Sequence, residues 1–137
     1  MVYALDTNVI IHYLKEDVSV TKNFDNAVLN GCMLIVPRAV DYEICRGLEL
    51  LSAAKKAAVY RDMTNPAGRC RIADMGENIW DLAKRIYVDL YLQGFTVGEI
   101  DILIDAFCLY HDYTLVTSNT KDFININGLR LVNWWRE

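Results

Sequence analysis

Long apolar runs are absent from this sequence: no stretch approaches the roughly 20 residues that span a bilayer, so no membrane helix is expected. The opening Met-Val-Tyr-Ala-Leu-Asp lacks the basic start and small-residue cleavage site of a signal peptide, which argues against secretion. Breakers are scarce, with two prolines and seven glycines in 137 residues, and 53% of the chain is hydrophobic, which excludes a disordered protein. Cysteine motifs are missing too. Cys32, Cys45, Cys70 and Cys108 are far apart, form no CxxC or zinc pattern, and read as reduced core residues of a cytoplasmic protein. Histidine occurs only at His12 and His111, so no histidine-based metal cluster is expected. Positive charge is in deficit: 14 Lys and Arg against 18 Asp and Glu leave a net charge of −4. That argues against gripping nucleic acid through overall charge. It leaves room for a nuclease whose carboxylates hold divalent ions, because such ions reverse the local sign.

What is present alternates strand with helix, in a length that suits one domain over residues 1–137. Residues 2–5 read as a buried strand, Asn8 to about Leu14 as a short helix, 21–30 as a second helix and 33–36 as a second strand. Pro37 fits the first position of a helix running to about Leu51. Residues 53–63 continue helically to a turn at Asn65-Pro66-Ala67-Gly68. A short third strand fits 70–73. Over 77–93, Ile79, Leu82, Ala83, Ile86 and Leu90 recur at helical spacing. Thr96-Val97-Gly98-Glu99 matches the S/T-x-x-E capping box and predicts a helix opening there and ending near His111. Strands follow at 114–117 and 129–132. The expected architecture is α/β with a largely parallel sheet of four to five strands. Trp134 and Trp135 are expected to pack on the fold or on a partner.

Four regions place a polar or acidic group near an element terminus. Asp6 ends the first strand, Glu43 lies in the first turns of the helix after strand two, Asp101 lies in the first turns of the helix after Thr96, and Asn119 follows strand four. In a parallel sheet, strand ends and the starts of the following helices share one edge, where ligands bind. A carboxylate at a buried strand end needs a partner or a metal. The simpler role for Asp6 or Asn8 is to cap the next helix. Asp105 shares a helix face with Asp101 and sits in the apolar run Ile102-Leu103-Ile104-Asp105-Ala106-Phe107, where it calls for a lysine, an arginine or a metal.

The segments Leu5-Asp6-Thr7-Asn8, Tyr42-Glu43-Ile44-Cys45-Arg46-Gly47, Asp101-Ile102-Leu103-Ile104-Asp105-Ala106 and Leu115-Val116-Thr117-Ser118-Asn119-Thr120-Lys121-Asp122-Phe123, in this order and in a chain of this length, resemble the PIN-domain ribonucleases. They are most similar to the VapC toxins of bacterial type II toxin–antitoxin pairs. The resemblance implies a three-layer α/β/α PIN-like fold. It puts Asp6, Glu43 and Asp101 at the family's three acidic positions, Asn119 at the fourth and Asp122 at a further acidic one. Asp105 departs from the pattern, since family members usually carry a small residue there. It either extends the site or forms a local salt bridge. The resemblance further implies RNA cleavage that shuts down translation, a homodimer, and inhibition by a cognate VapB-type antitoxin. Tyr60, Met63 and Trp80 are candidate anchors for that partner unless the core claims them. A housekeeping RNA-processing nuclease, or a PIN module that binds RNA without cutting it, are the rival functions. A haloacid-type phosphatase is disfavoured, because it needs a second Asp where this chain has Asn8.

An all-oxygen donor set suits Mg²⁺ or Mn²⁺. Asp6 and Asp101 are the expected direct ligands. Glu43, Asn119 and Asp122 would act directly or through water, and Thr7, Asn8 and Thr117 as hydrogen-bonding support. Arg38, Arg46, Lys55, Lys56, Arg61, Arg69 and Arg71 either line a phosphate-holding rim or form an ordinary solvated face. Arg46 is expected nearest the site.

Overall fold

Strand β1 (Val2–Leu5) carries Ala4 and Leu5 fully buried, and sits at the centre of the sheet. On one side it pairs in parallel with β2 (Met33–Pro37), and β2 pairs with β3 (Cys70–Ala73). On the other side lie β4 (Thr114–Val116) and β5 (Arg130–Val132), giving five parallel strands in the order β3-β2-β1-β4-β5. The computed structural model describes residues 1–123 and 126–135; the side chain of Asp122 lies outside what is described.

Helices connect the strands: α1 (Thr7–Leu14), α2 (Val18–Leu29), α3 (Arg38–Leu50), α4 (Ala54–Thr64), α5 (Glu77–Leu92) and α6 (Glu99–His111). α1 packs on α2, α3 and α4, while α5 packs on α6, so the helices form two groups that cover the sheet in a three-layer α/β/α fold. The groups meet where α3 touches α6. Because the chain steps from β1 outward through β2 and β3, then returns to place β4 on the other side of β1, the direction of winding reverses between β1 and β4. Open α/β sheets present a crevice at the carboxyl ends of the strands flanking such a reversal. Among the described residues no helix is long and apolar enough to cross a membrane.

Local chemistry explains the boundaries, and in three places corrects the expectation. Pro37 is the last residue of β2 and the N-cap of α3, with extended backbone, rather than the first helical residue. The capping box at Thr96 does not form: α6 begins at Glu99 with Gly98 as N-cap and no side-chain cap bond. Glu99 thus takes the first helical position and Asp101 the third, where its carboxylate faces back toward Gly98. Cys45 is exposed on α3, whereas Cys70 and Cys108 are buried; all four cysteines are free thiols. Burial pushes the Cys70 thiol up to about 12. In the turn at 65–68, a Cβ at Gly68 would strike the carbonyl oxygens of Met63 and Asp62, so this position admits only glycine.

The carboxyl-terminal tryptophans pack on the fold. Trp134 is buried edge-on against Tyr3 and Phe24 (ring centroids 5.7 and 6.3 Å), and its carbonyl accepts bonds from Ser19 Oγ and Asn23 Nδ2. The indole of Trp135 lies edge-on to His12 and donates to its Nδ1. His111 is held among Phe107, Tyr110 and Tyr113. His12 Nδ1 also lies 3.6 Å from Asp17 Oδ2, and His111 is exposed at the end of α6. Trp134→Ala is expected to lower unfolding stability by about 3–5 kcal/mol, the usual effect of emptying a buried aromatic site. Urea denaturation would show this as a lower midpoint at unchanged slope. An unchanged midpoint would mean the segment 133–135 does not seal the core.

Candidate active site

The register of β1 on β4 pairs Leu5 with Val116, and Asp6 and Thr117 are the residues that follow these two strand ends. The Asp6 amide donates to Val116 O at 3.0 Å and the Thr117 amide to Val132 O at 3.0 Å. Both side chains are thereby fixed at the reversal point, and both are buried. Asp6 is also the N-cap of α1, so its capping and site roles coincide. Its Oδ1 accepts from the Thr7 amide and its Oδ2 from the Thr117 hydroxyl, each at 2.7 Å. The Asn119 amide donates to Thr117 Oγ1 at 3.1 Å and so orients that hydroxyl.

Thr7 extends the network outward: its hydroxyl donates to Glu43 Oε1 on α3. Glu43 Oε2 lies 3.9 Å from Arg46 Nη2, and that guanidinium stacks over the Tyr42 ring. On α6, Asp101 lies in the first turn, where the helix dipole favours negative charge. It lines a cavity of about 400 Å³ together with Phe95, Thr96, Val97, Gly98, Leu90, Lys121 and Ile126. Asp105, one turn further on, is fully buried, and both its carboxyl oxygens lack a hydrogen-bond partner. Burial first, then the charges of Asp101 and Asp6, push its carboxyl up to about 8. The salt-bridge alternative for Asp105 is therefore overturned: the charges acting on it are negative.

Asp6, Glu43, Asp101 and Asp105 thus come from three elements to one edge. Asn119 enters through its backbone, and its side chain is exposed. Asp122, as a side chain, lies outside the described residues. Asn8 does not join the hydrogen-bonded support expected of it; its Oδ1 is buried without a partner. The continuous basic rim is not formed either. Arg38 is bound to Asp41 and Asp74, and Arg69 to Asp25. Lys55 and Lys56 line a different groove, beside Tyr13 and Leu14 at the far end of α1 from Asp6. Of the candidate anchors, Tyr60 and Met63 are buried and only Trp80 is exposed. Lys121, not expected at the site, lines its cavity; its place beside Asp122 in the loop after β4 was the available signal.

The sequence model of the PIN domain matches residues 3–129. The chain belongs to the PIN domain family. Among relatives of this PIN domain, a protein of Rickettsia felis named "Ribonuclease VapC2" is 25% identical over 138 residues, covering 98% of each chain. Two solved structures superpose closely: a DNA-bound VapBC from Salmonella typhimurium (TM-score 0.86, 22% identity, 98% of each chain) and VapBC2 from Rickettsia felis bound to a promoter DNA fragment. The second has a TM-score of 0.84 at 24% identity, over 98% of this chain and 99% of that one.

The pH dependence of this PIN domain follows from Asp105. Its folded value of about 8 lies above the ordinary 3.8, so between the two the native state holds a proton that the unfolded chain has released. Stability then falls as pH rises through that window. In EDTA the wild-type melting temperature is expected to drop from about pH 5 to about pH 8, and Asp105→Asn to flatten the drop. Coincident slopes for the two proteins would show that this carboxyl does not titrate in the native state.

Proposed function

We propose that this PIN domain is a Mg²⁺- or Mn²⁺-dependent endoribonuclease and the toxin of a toxin–antitoxin pair, cleaving cellular RNA to inhibit translation in the cytoplasm. The observation that carries the reading is the buried Asp6 carboxylate at the β1/β4 reversal, faced by Asp101 and Asp105 from α6. The name of the Rickettsia felis relative, matched end to end, supports RNA as the substrate.

The donors suit a hard divalent ion. They are all oxygens, and Asp105 offers two buried ones with no other partner. Among the described residues no three His, Cys, Asp or Glu side chains surround one point. An ion held there would take one or two carboxylates and keep several waters, as Mg²⁺ does. Asp6 and Asp101 would hold it. Such an ion, when bound, supplies water activation and neutralisation of charge on a phosphodiester.

The chain's own side chains do the positioning. Thr7 and Thr117 each hold one oxygen of Asp6, which leaves the carboxylate a single orientation. Glu43 is anchored through Oε1 by Thr7, with Arg46 3.9 Å from its Oε2, and would orient the attacking water. Asn119 offers a neutral amide oxygen, and Asp122 a further acidic group acting through water. Arg46 and Lys121 are the cations placed to meet RNA phosphates.

The partners in this reading are RNA, a VapB-type antitoxin that covers the acidic cleft with a basic side chain, and a second copy of the chain. The VapBC complexes that share the fold support the antitoxin. Asp6→Asn and Asp101→Asn are each expected to reduce RNA cleavage by at least about a hundredfold, beyond what losing an outer partner of a metal ligand does. Asn119→Ala should be milder. Cleavage is read on total RNA with Mn²⁺, and folding by circular dichroism. Full activity in either folded Asp variant would remove the nuclease mechanism. Co-expression with the gene immediately upstream is expected to restore growth and give an inactive complex. No toxicity, or no rescue, would replace the toxin role with RNA processing.

A further inference from the structure

Helix α5 ends in a fixed geometry. Gly94 takes φ +86°, its amide donates to Tyr91 O at 3.0 Å, and the Phe95 amide reaches back to Leu90 O at 2.9 Å. This pair of bonds around a left-handed glycine is a common way to stop a helix. It seats Phe95 beside the last turn of α5 instead of leaving it on a free loop. Leu90 is buried, whereas Phe95 keeps 39% of its surface exposed, and both line the cavity of about 400 Å³ that Asp101 shares. Val97 and Ile126 extend the apolar wall, and Lys121 adds a cation. Thr96, which caps no helix, is exposed there with its hydroxyl. At Gly98, φ is −65° and a Cβ would meet only Asp101 Oδ2 at 3.7 Å, an ordinary contact. The backbone therefore does not demand glycine, and a serine or aspartate would cap α6 slightly better. Glycine leaves that side of the cavity without a side chain.

A cavity of a few hundred Å³ with apolar walls and a few polar groups suits a small organic group. The Asp101 carboxylate disfavours a phosphate inside it. A nucleobase is uncharged, apolar on its faces and polar on its edge, and unpaired bases stack on aromatic side chains. Because Asp101 belongs both to the cavity and to the acidic edge, a phosphodiester brought to that edge has a neighbouring nucleotide at the cavity. We propose that the cavity receives one unpaired nucleobase of the RNA substrate, next to the scissile phosphate, with Phe95 as its stacking surface. The inference rests on the RNA-cleaving reading above and adds the contact that sets where along the strand the cut falls.

The test is a cycle between the ring and the base. A cut site is mapped on total RNA with Mn²⁺, and a short single-stranded oligoribonucleotide carrying it is made with each nucleotide flanking the cut abasic in turn. Wild type, Phe95→Ala, Phe95→Leu and Phe95→Tyr are compared as purified full chains, with folding read by circular dichroism. Phe95→Leu keeps an apolar group at the helix end and serves where Phe95→Ala does not fold. On the intact strand, Phe95→Ala and Phe95→Leu are each expected to raise KM about tenfold with little change in kcat, within the range that one stacked base contributes. Phe95→Tyr should stay near wild type. At one position, removing the base should raise the wild-type KM by a similar factor and cause no further loss in Phe95→Ala or Phe95→Leu. Additive losses at every position would overturn the inference, give the cavity to a partner protein's side chain and leave the RNA-cleaving reading standing. A wild-type protein that cuts no RNA would overturn both.

Discussion

Burial of the Asp6 carboxylate at the reversal between β1 and β4 is the constraint around which the edge of this sheet is organised. Two hydrogen bonds to a charged group return about 1.5–3 kcal/mol each. Desolvating the ion costs several kcal/mol. The Thr7 amide is the next residue of the chain, but the Thr117 hydroxyl is in reach only because the β1–β4 register is held. A slip of one residue would turn Thr117 to the opposite face of the sheet. The ladder bonds from Asp6 to Val116 and from Thr117 to Val132 secure that register. This edge and the sheet are therefore one structural unit, and Thr117 belongs equally to both.

What those bonds do not offset is a carboxylate at Asp105. Asp101 gains from the first turn of α6, but Asp105, in the second turn, lies beyond the dipole's reach and has no donor. The core must carry that cost, and it is placed to do so: Phe107 and Ile104 are fully buried on the same helix, and α6 packs along α5. A local rule is broken at one position inside an otherwise well-packed helix, as expected where a site displaces the stability optimum.

Much of this was legible in the chain because it is local. The Leu5-Asp6-Thr7 junction states a strand end and a helix start within three residues, and the strand–helix alternation fixes which edge they share. The apolar flanks of Asp105 announced a carboxylate that must find a partner. What stayed illegible depends on long side chains and distant pairings. Arg38 reaches Asp74, 36 residues on, and Arg69 reaches Asp25, 44 residues back. No spacing rule anticipates either, so for these two arginines the rim reading gives way to ion pairs. The capping box failed for a related reason: Thr96 has the right spacing, but the chain from 95 to 98 runs past it to line the cavity beside Asp101, and Gly98 takes the cap.

These ion pairs bear on how an acidic protein would meet RNA. Arg38, Arg69 and Arg130 each face an aspartate, so their charge is largely spent within the molecule. Among the described residues, Arg46 lies beside Glu43 and Lys121 lines the cavity with Asp101, while Asp6 is buried between them. Without an ion the cleft repels a phosphate backbone. On the proposed reading, a bound divalent cation relieves the repulsion among the carboxylates and turns the same surface attractive to the substrate. Cofactor binding, native-state stability and RNA affinity would then be linked through one set of charges, and anything that places a positive group on those carboxylates competes for all three. That gives a physical reason for a cleft-covering antitoxin to silence the enzyme without unfolding it.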